Sequence, residues 1–528
     1  MPYLQGTDTS SESALVTVPL GKLQRRFYEP LILLLALTEA YIHIHNQAPR
    51  TPDPRVDVPS HSPEELFQDF INKLCQICDN KPGGGAVTAI SALEYPDRVQ
   101  YRFASNQRSE IELSKVKSYL IDILDTLKGY STTSSLRVRA SLLRKIVAFN
   151  RPRLQRYIRV LHQKTQICLE TPEIPAELSD ALRELRELAY KADNREAEES
   201  EFFRDCANLI LFIKGISKST VQKSLQEKAG SDSRRPSPWA ELRHASGRLL
   251  SYLQASKTLI EARRKWESLL DDFEVYCVCS STQIPNPINN KDVNAEVIIG
   301  RMTNDATIMS AFRAGAEDLQ KFNLDQNIKE QATKFSFRPY VHAEVLIHQS
   351  ILDEFGTTGL RSSLFFKGYR YIGSSKPTCR LCDYYFTASG TGIEVRESHR
   401  NLYVNWRAPD VFINQGGAAA DRRKHILNKM LERIREDTFR TLSDKIPEKK
   451  QFDSNTDPTF PARNLGTSVG SERGWRDADF DDIAESMNHL DLRGSSREVQ
   501  VVRPEPSPRA CGFDGGDDDD DAGGASLG

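Results

Sequence analysis

Two short stretches hold residue types able to do hydrolytic chemistry, His342-Ala-Glu344 and Pro377-Thr-Cys-Arg-Leu-Cys382. Two thiolates at i and i+3 lie on one helical face. A histidine adds a nitrogen donor, and three protein ligands leave one tetrahedral position open for water, as a catalytic rather than a structural zinc requires. The expected cofactor is therefore Zn2+ on His342, Cys379 and Cys382, with helix N-termini favouring the thiolates. Zinc lowers the pKa of bound water, which can then attack an amidine carbon such as C4 of cytosine or C6 of adenine. Glu344 need not ligate; it is the expected catalytic residue, taking the proton from water, delivering it to the ring nitrogen and later passing one to the departing ammonia. Each half alone has an ordinary explanation, because H-x-E is common and C-x-x-C on a helix is often core. Their order, their separation of 37 residues (379 − 342) and a strand expected between them join the two halves.

These residues need an α/β frame. From Val341 the pattern predicts a helix over 342–355, a strand over 364–373, a helix from about Thr378, a strand over 392–397 and a last helix over 421–442. An earlier unit reads as helix, strand, strand: Phe67, Phe70, Ile71 and Leu74 recur at helical spacing, Lys81-Pro-Gly-Gly-Gly85 stops that helix, and 87–93 and 99–103 form a hairpin through Glu94-Tyr-Pro-Asp97. Residues 110–275 read as helical, with apolar faces at Leu113, Val116, Leu120, Ile123, Leu124 and Leu127 and at Leu178, Leu182, Leu185 and Leu188.

The chain resembles the cytidine deaminase superfamily, and within it the OTT-like deaminase family represented in fungal proteins. The resemblance rests on His342-Ala-Glu344, on Lys376-Pro-Thr-Cys-Arg-Leu-Cys-Asp-Tyr-Tyr-Phe386, on Ser398-His-Arg-Asn-Leu-Tyr403, and on Trp406-Arg407 and Pro409-Asp410. It implies a mixed sheet between helices, zinc on His342, Cys379 and Cys382, and Glu344 as proton shuttle. Thr378, between Pro377 and Cys379, departs from the superfamily pattern. Superfamily cores place helix, strand and strand before the H-A-E helix, whereas the residues directly upstream of His342 read as helical. The resemblance therefore implies that 63–107 supply the missing hairpin, that the sheet is split by a large all-helical insertion at 108–337, and that 338–445 complete the core. Residues 1–62 are then an N-terminal helical extension with linker. Asn106, ending the second strand near the metal, is implied as a substrate-orienting amide, and Asn starting a turn is the competing reading.

Other candidates divide between functional and ordinary readings. His399 follows the last core strand, as a substrate contact or a hydrogen-bonded structural histidine. Residues 131–169 hold nine Lys/Arg and no Asp or Glu; Arg153, Arg156 and Arg159 share a helical face beside Tyr157. That face could track a phosphate backbone, or be a solvated face paired with the Glu-rich residues 194–201. Cys75 and Cys78, on an apolar helix, and Cys277 and Cys279, alternating as in a strand, are expected in packing rather than in a second zinc site.

The net charge of −2 divides into +7 for residues 1–445 and −9 for 446–528, where 9 Lys/Arg face 18 Asp/Glu. The mildly basic body is compatible with a nucleotide or nucleic acid partner. The acidic tail is expected to be disordered, with Phe480, Ile483, Met487 and Leu490 spaced as in a segment that folds on a protein partner. Nine irregularly spaced cysteines do not form a secreted disulfide framework. The apolar run 31–37 is too short to span a membrane and too late for a signal peptide. The expectation is an intracellular protein of cytoplasm or nucleus, either a zinc-dependent deaminase or a zinc-stabilised interaction scaffold, with no membrane partner.

Overall fold

The computed structural model describes residues 16–44, 62–130, 135–217, 219–231, 237–288 and 292–445. The acidic segment 446–528, with its Phe480 to Leu490 spacing, lies outside the described residues.

The hairpin sits at the centre. β1 (Thr88–Glu94) and β2 (Val99–Ser105) pair antiparallel along their whole length, and the Tyr95 N–H donates to the Arg98 carbonyl across the turn. Side chains alternate between the faces of a strand, so the hairpin feeds two cores. Ile90, Ala92, Val99, Tyr101 and Phe103 enter one; Ala89, Leu93 and Ala104 enter the other. Three further strands complete a mixed five-stranded sheet in the order β3-β2-β1-β4-β5. β3 (Phe273–Val278) is parallel to β2, β4 (Tyr371–Ser374) is antiparallel to β1 through Ala89↔Ser374 and Ile90↔Gly373, and β5 (Glu394–Val395) is parallel to β4.

α1 (Lys22–Ile44) belongs to the second core. α2 (Pro63–Cys78) starts at Ser62, whose hydroxyl accepts from the Glu65 N–H while the Glu65 carboxylate accepts from the Ser62 N–H. This capping box, with proline in the first turn, defines where the helix begins. Its buried Phe67, Phe70, Ile71 and Leu74 join the first core. Among the described residues seven helices connect β2 to β3: α3 (Glu110–Lys128), α4 (Ser135–Phe149), α5 (Arg151–Leu169), α6 (Ala176–Ala192), α7 (Glu199–Ile216), α8 (Thr220–Ser231) and α9 (Pro238–Lys265). Their apolar stripes extend the first core. α10 (Ala295–Met302), α11 (Ala306–Asp318), α12 (Leu324–Thr333), α13 (Ala343–Phe355), α14 (Arg380–Ser389) and α15 (Gly416–Asp444) pack with α1 around the second. No described helix is long and apolar enough to cross a membrane.

Three expectations are corrected. The insertion 108–337 is not all helical, because residues 273–278 return to the sheet as β3 beside β2. The outer edge of β2 is buried, and a paired strand satisfies its peptide groups. The strand expected over 364–373 gives way to Tyr371–Ser374 because Lys367 takes a left-handed φ of 52° inside the second of two short turns, Ser362–Leu364 and Phe366–Gly368, and the strand expected over 392–397 shrinks to Glu394–Val395.

Gly373 lets α2 lie directly on β4. A Cβ there would stand 2.5 Å from Ile71 Cγ2 and 2.8 Å from Asn72 Oδ1. Asn72 Oδ1 also accepts from the Ser374 N–H at 3.2 Å and the Tyr371 hydroxyl at 3.1 Å, so it has little freedom to retreat. Gly373→Val is expected to destabilise the protein by about 1–3 kcal/mol, measured by denaturant unfolding; unchanged stability would contradict this packing.

Candidate metal centre

Two helix N-termini meet at the second core. His342 is the N-cap of α13 and Cys379 the N-cap of α14, where the Cys379 sulfur accepts from the Cys382 N–H at 3.5 Å. The His342 Nδ1 lies 3.5 Å from Cys379 Sγ and 3.4 Å from Cys382 Sγ. All three donor atoms fall within 4.8 Å of one another, and all three residues are buried. Zinc bonds of about 2.3 Å to sulfur and 2.0 Å to nitrogen at a tetrahedral angle set an S···N edge of about 3.5 Å. The observed edges fit that ion. Among the described residues this is the only cluster of three or more His, Cys, Asp or Glu able to hold a metal.

The electrostatics suit a cation. Burial opposes both charges, yet Cys379 and His342 sustain each other: hydrogen bonding from Cys382 and the adjacent imidazole hold the Cys379 thiol well below its usual range, and the Cys379 sulfur holds His342 above its own. The Cys382 thiol is pushed up by burial and by the neighbouring Cys379. Glu344, on the first turn of α13, is only 4 % exposed. Burial raises its carboxyl pKa, with His342 pulling the other way, and a bound metal ion would add to that pull.

Asn106 follows β2 and faces the same helix start. Its Oδ1 accepts from the Ala343 N–H at 2.8 Å and its Nδ2 donates to the Gly84 carbonyl at 2.9 Å. It therefore acts as a cap on α13, tying it to the glycine loop. His399 is buried beside the second ligand element: its N–H donates to the Thr378 carbonyl at 3.1 Å, and its Nδ1 accepts from the Asn401 N–H at 2.9 Å. Cys75 and Cys78 are buried on α2 within the first core and Cys277 is half-buried, but Cys279 is exposed rather than packed as expected, because β3 ends at Val278 before it.

The basic face on α5 divides. Arg153 does not stand at the surface expected of it; it is 2 % exposed and ion-paired with Asp79, because its fork is drawn inward by a buried carboxylate and two carbonyls. Arg156 and Arg159 are partly exposed, and Arg159 lies 3.8 Å from Asp193. Arg144 on the preceding helix lies 3.8 Å from Glu199, a pairing of the solvated-face kind. Sequence reasoning missed the partners of Arg153. Tyr157, four residues on, was a local signal, but nothing in the pattern pointed to Asp79 or to Ser375 beyond it.

With this geometry in place, the family comparison has a physical counterpart. Residues 341–410 match the model of the OTT-like deaminases, a cytidine deaminase-like family. The deaminase-like segment contains all three ligands, Glu344 and His399. No curated protein and no solved structure matches the chain.

Two predictions follow from the centre and its helix. The native protein is expected to carry a metal and the double variant Cys379→Ser/Cys382→Ser to lose it, measured by elemental analysis; a metal-free native protein, or stoichiometric metal retained in the variant, would refute the ligand set. On the inner face of α13, His348 places Nδ1 3.0 Å from the Tyr385 hydroxyl and Nε2 3.1 Å from Thr391 Oγ1, and burial holds its pKa down to about 3. An unfolded histidine titrates near about 6.5, so between these values the unfolded state binds more protons and stability falls as pH falls. The stability loss between about pH 6.5 and 4 should be smaller in His348→Gln than in the native protein, read from unfolding midpoints; an identical loss would remove His348 as its source.

Proposed function

We propose that the protein is a zinc-dependent hydrolytic deaminase acting on a nucleobase in a nucleotide or nucleic acid. One observation carries this reading. Glu344 is buried on the first turn of α13, two residues after His342 and beside the three ligands. A purely structural zinc has no need of a buried carboxylate there, whereas hydrolysis needs a proton carrier. The match of residues 341–410 to a deaminase family supports the same chemistry.

When bound by His342, Cys379 and Cys382, zinc supplies Lewis-acid activation of water at neutral pH. Glu344 accepts a proton from the water at its carboxylate and passes it to a ring nitrogen; it then takes the proton of the newly attached hydroxyl and passes that one to the leaving amine, so that ammonia departs as the carbonyl forms. Asn106 holds the start of α13, and so the mutual placement of His342 and Glu344, through the Ala343 N–H. For a polymeric substrate, the partly exposed Arg156 and Arg159 are the candidate backbone contacts on α5.

Glu344→Gln should keep its metal and its unfolding midpoint while ammonia release falls by about 10² to 10⁴, assayed on cytosine and adenine nucleosides, nucleotides and single strands. Full activity in the variant would refute the proton-shuttle role. No ammonia from the native protein on any of these would favour the interaction scaffold instead.

A further inference from the structure

Asp79, at the C-terminal cap of α2, is a carboxylate placed where the helix dipole is unfavourable and water is excluded. Its counter-charge comes from α5. Arg153 pairs with Asp79 and donates through Nη1 to the carbonyls of Asp79 and Lys81, both at 3.1 Å, while its Nε donates to the Tyr157 hydroxyl at 2.9 Å. Arg248 on α9 donates to the same hydroxyl at 3.2 Å, so two helices of the module hold the guanidinium in place.

Two chains of contacts run from this ion pair to the ligands. In the first, Asp79 Oδ2 accepts from the Ser375 hydroxyl at 2.9 Å, and the Ser375 oxygen accepts from the Thr88 N–H at 3.2 Å. Only Lys376, Pro377 and Thr378 separate Ser375 from Cys379. In the second, Arg153 holds the start of the glycine loop at Lys81; the Gly84 carbonyl binds Asn106, and Asn106 caps the N–H next to His342.

We propose that Arg153 is a positioning residue for the metal centre, acting through Asp79 and Ser375 on the Cys379–Cys382 element and through the glycine loop and Asn106 on His342. The helical module between β2 and β3 then forms part of the site's support, in addition to any surface it presents. This inference rests on the metal-centre reading above, and its test separates the two.

The probe is Co2+ alone, bound to the full chain, with thiolate-to-cobalt absorption reporting the centre and release into excess chelator reporting how firmly it is held. Ser375→Ala removes the link while leaving the Asp79–Arg153 pair intact. Arg153→Lys keeps the charge but loses the fork whose Nη1 reaches the carbonyls while its Nε holds the Tyr157 hydroxyl. Each variant is expected to speed cobalt release by about tenfold, the lower end of outer-shell effects, and to alter the absorption band. Because Ser375 and Arg153 also act in one chain, the double variant should release cobalt more slowly than the product of the two effects would give. Native-like release and spectrum in Ser375→Ala would overturn the route through Asp79 and Ser375, even if Arg153→Lys does not fold; native-like values in Arg153→Lys would overturn the proposal whole. Effects that multiply fully would overturn the shared chain. A native chain that takes up no cobalt with thiolate absorption would overturn the metal centre and this inference together.

Discussion

An imidazole, two thiols and a carboxylate lie together in an interior where an uncompensated charge is costly. Their arrangement depends on two helix N-termini converging, and at the start of α14 the Cys382 N–H donates to the Cys379 sulfur, where it stabilises negative charge. α13 presents His342 and Glu344; α14 presents Cys379 and Cys382. An ion at the three ligands would offset the thiolate charge that burial otherwise penalises.

The sheet makes that convergence possible. β4 delivers the chain to Cys379, while β2 ends just before Asn106, which caps α13. Both strands flank β1, so a single register, Ala89↔Ser374 and Ile90↔Gly373, relates the two ligand elements. The same strands carry apolar residues on both faces, which explains why helices cover the sheet on each side. On one of those sides the covering helices also supply Arg153, whose charge compensates Asp79 and through it secures Ser375.

Much of the site was legible because its chemistry is local. His342 with Glu344, and Cys379 with Cys382, are separated by two and three residues at helix starts, where spacing translates directly into geometry. The hairpin was legible for the same reason, its turn residues lying between two apolar runs. β3 was legible only in the strand-like alternation of Cys277 and Cys279, because six residues after a long helical stretch carry too little period to set bounds or a partner. Lys367 was silent: a left-handed lysine leaves no compositional mark, yet it sits inside the second short turn and shortens β4.

The sequence by itself determined which atoms could ligate and which carboxylate could move a proton, because donor chemistry belongs to residue type and short spacing. Local chemistry also marks where α2 and α9 begin: Ser62 precedes Pro63 and Ser237 precedes Pro238, and in each pair the serine side chain caps the helix that the proline opens. Tertiary structure alone decided what Arg153 does. In the sequence it is one of nine basic residues in an uninterrupted stretch, indistinguishable from Arg156 and Arg159. In the fold it meets a carboxylate 74 residues away (153 − 79) in a buried setting, where pairing outweighs hydration, while its neighbours stay near water. Burial depends on which elements pack together, and that is set by contacts far apart along the chain.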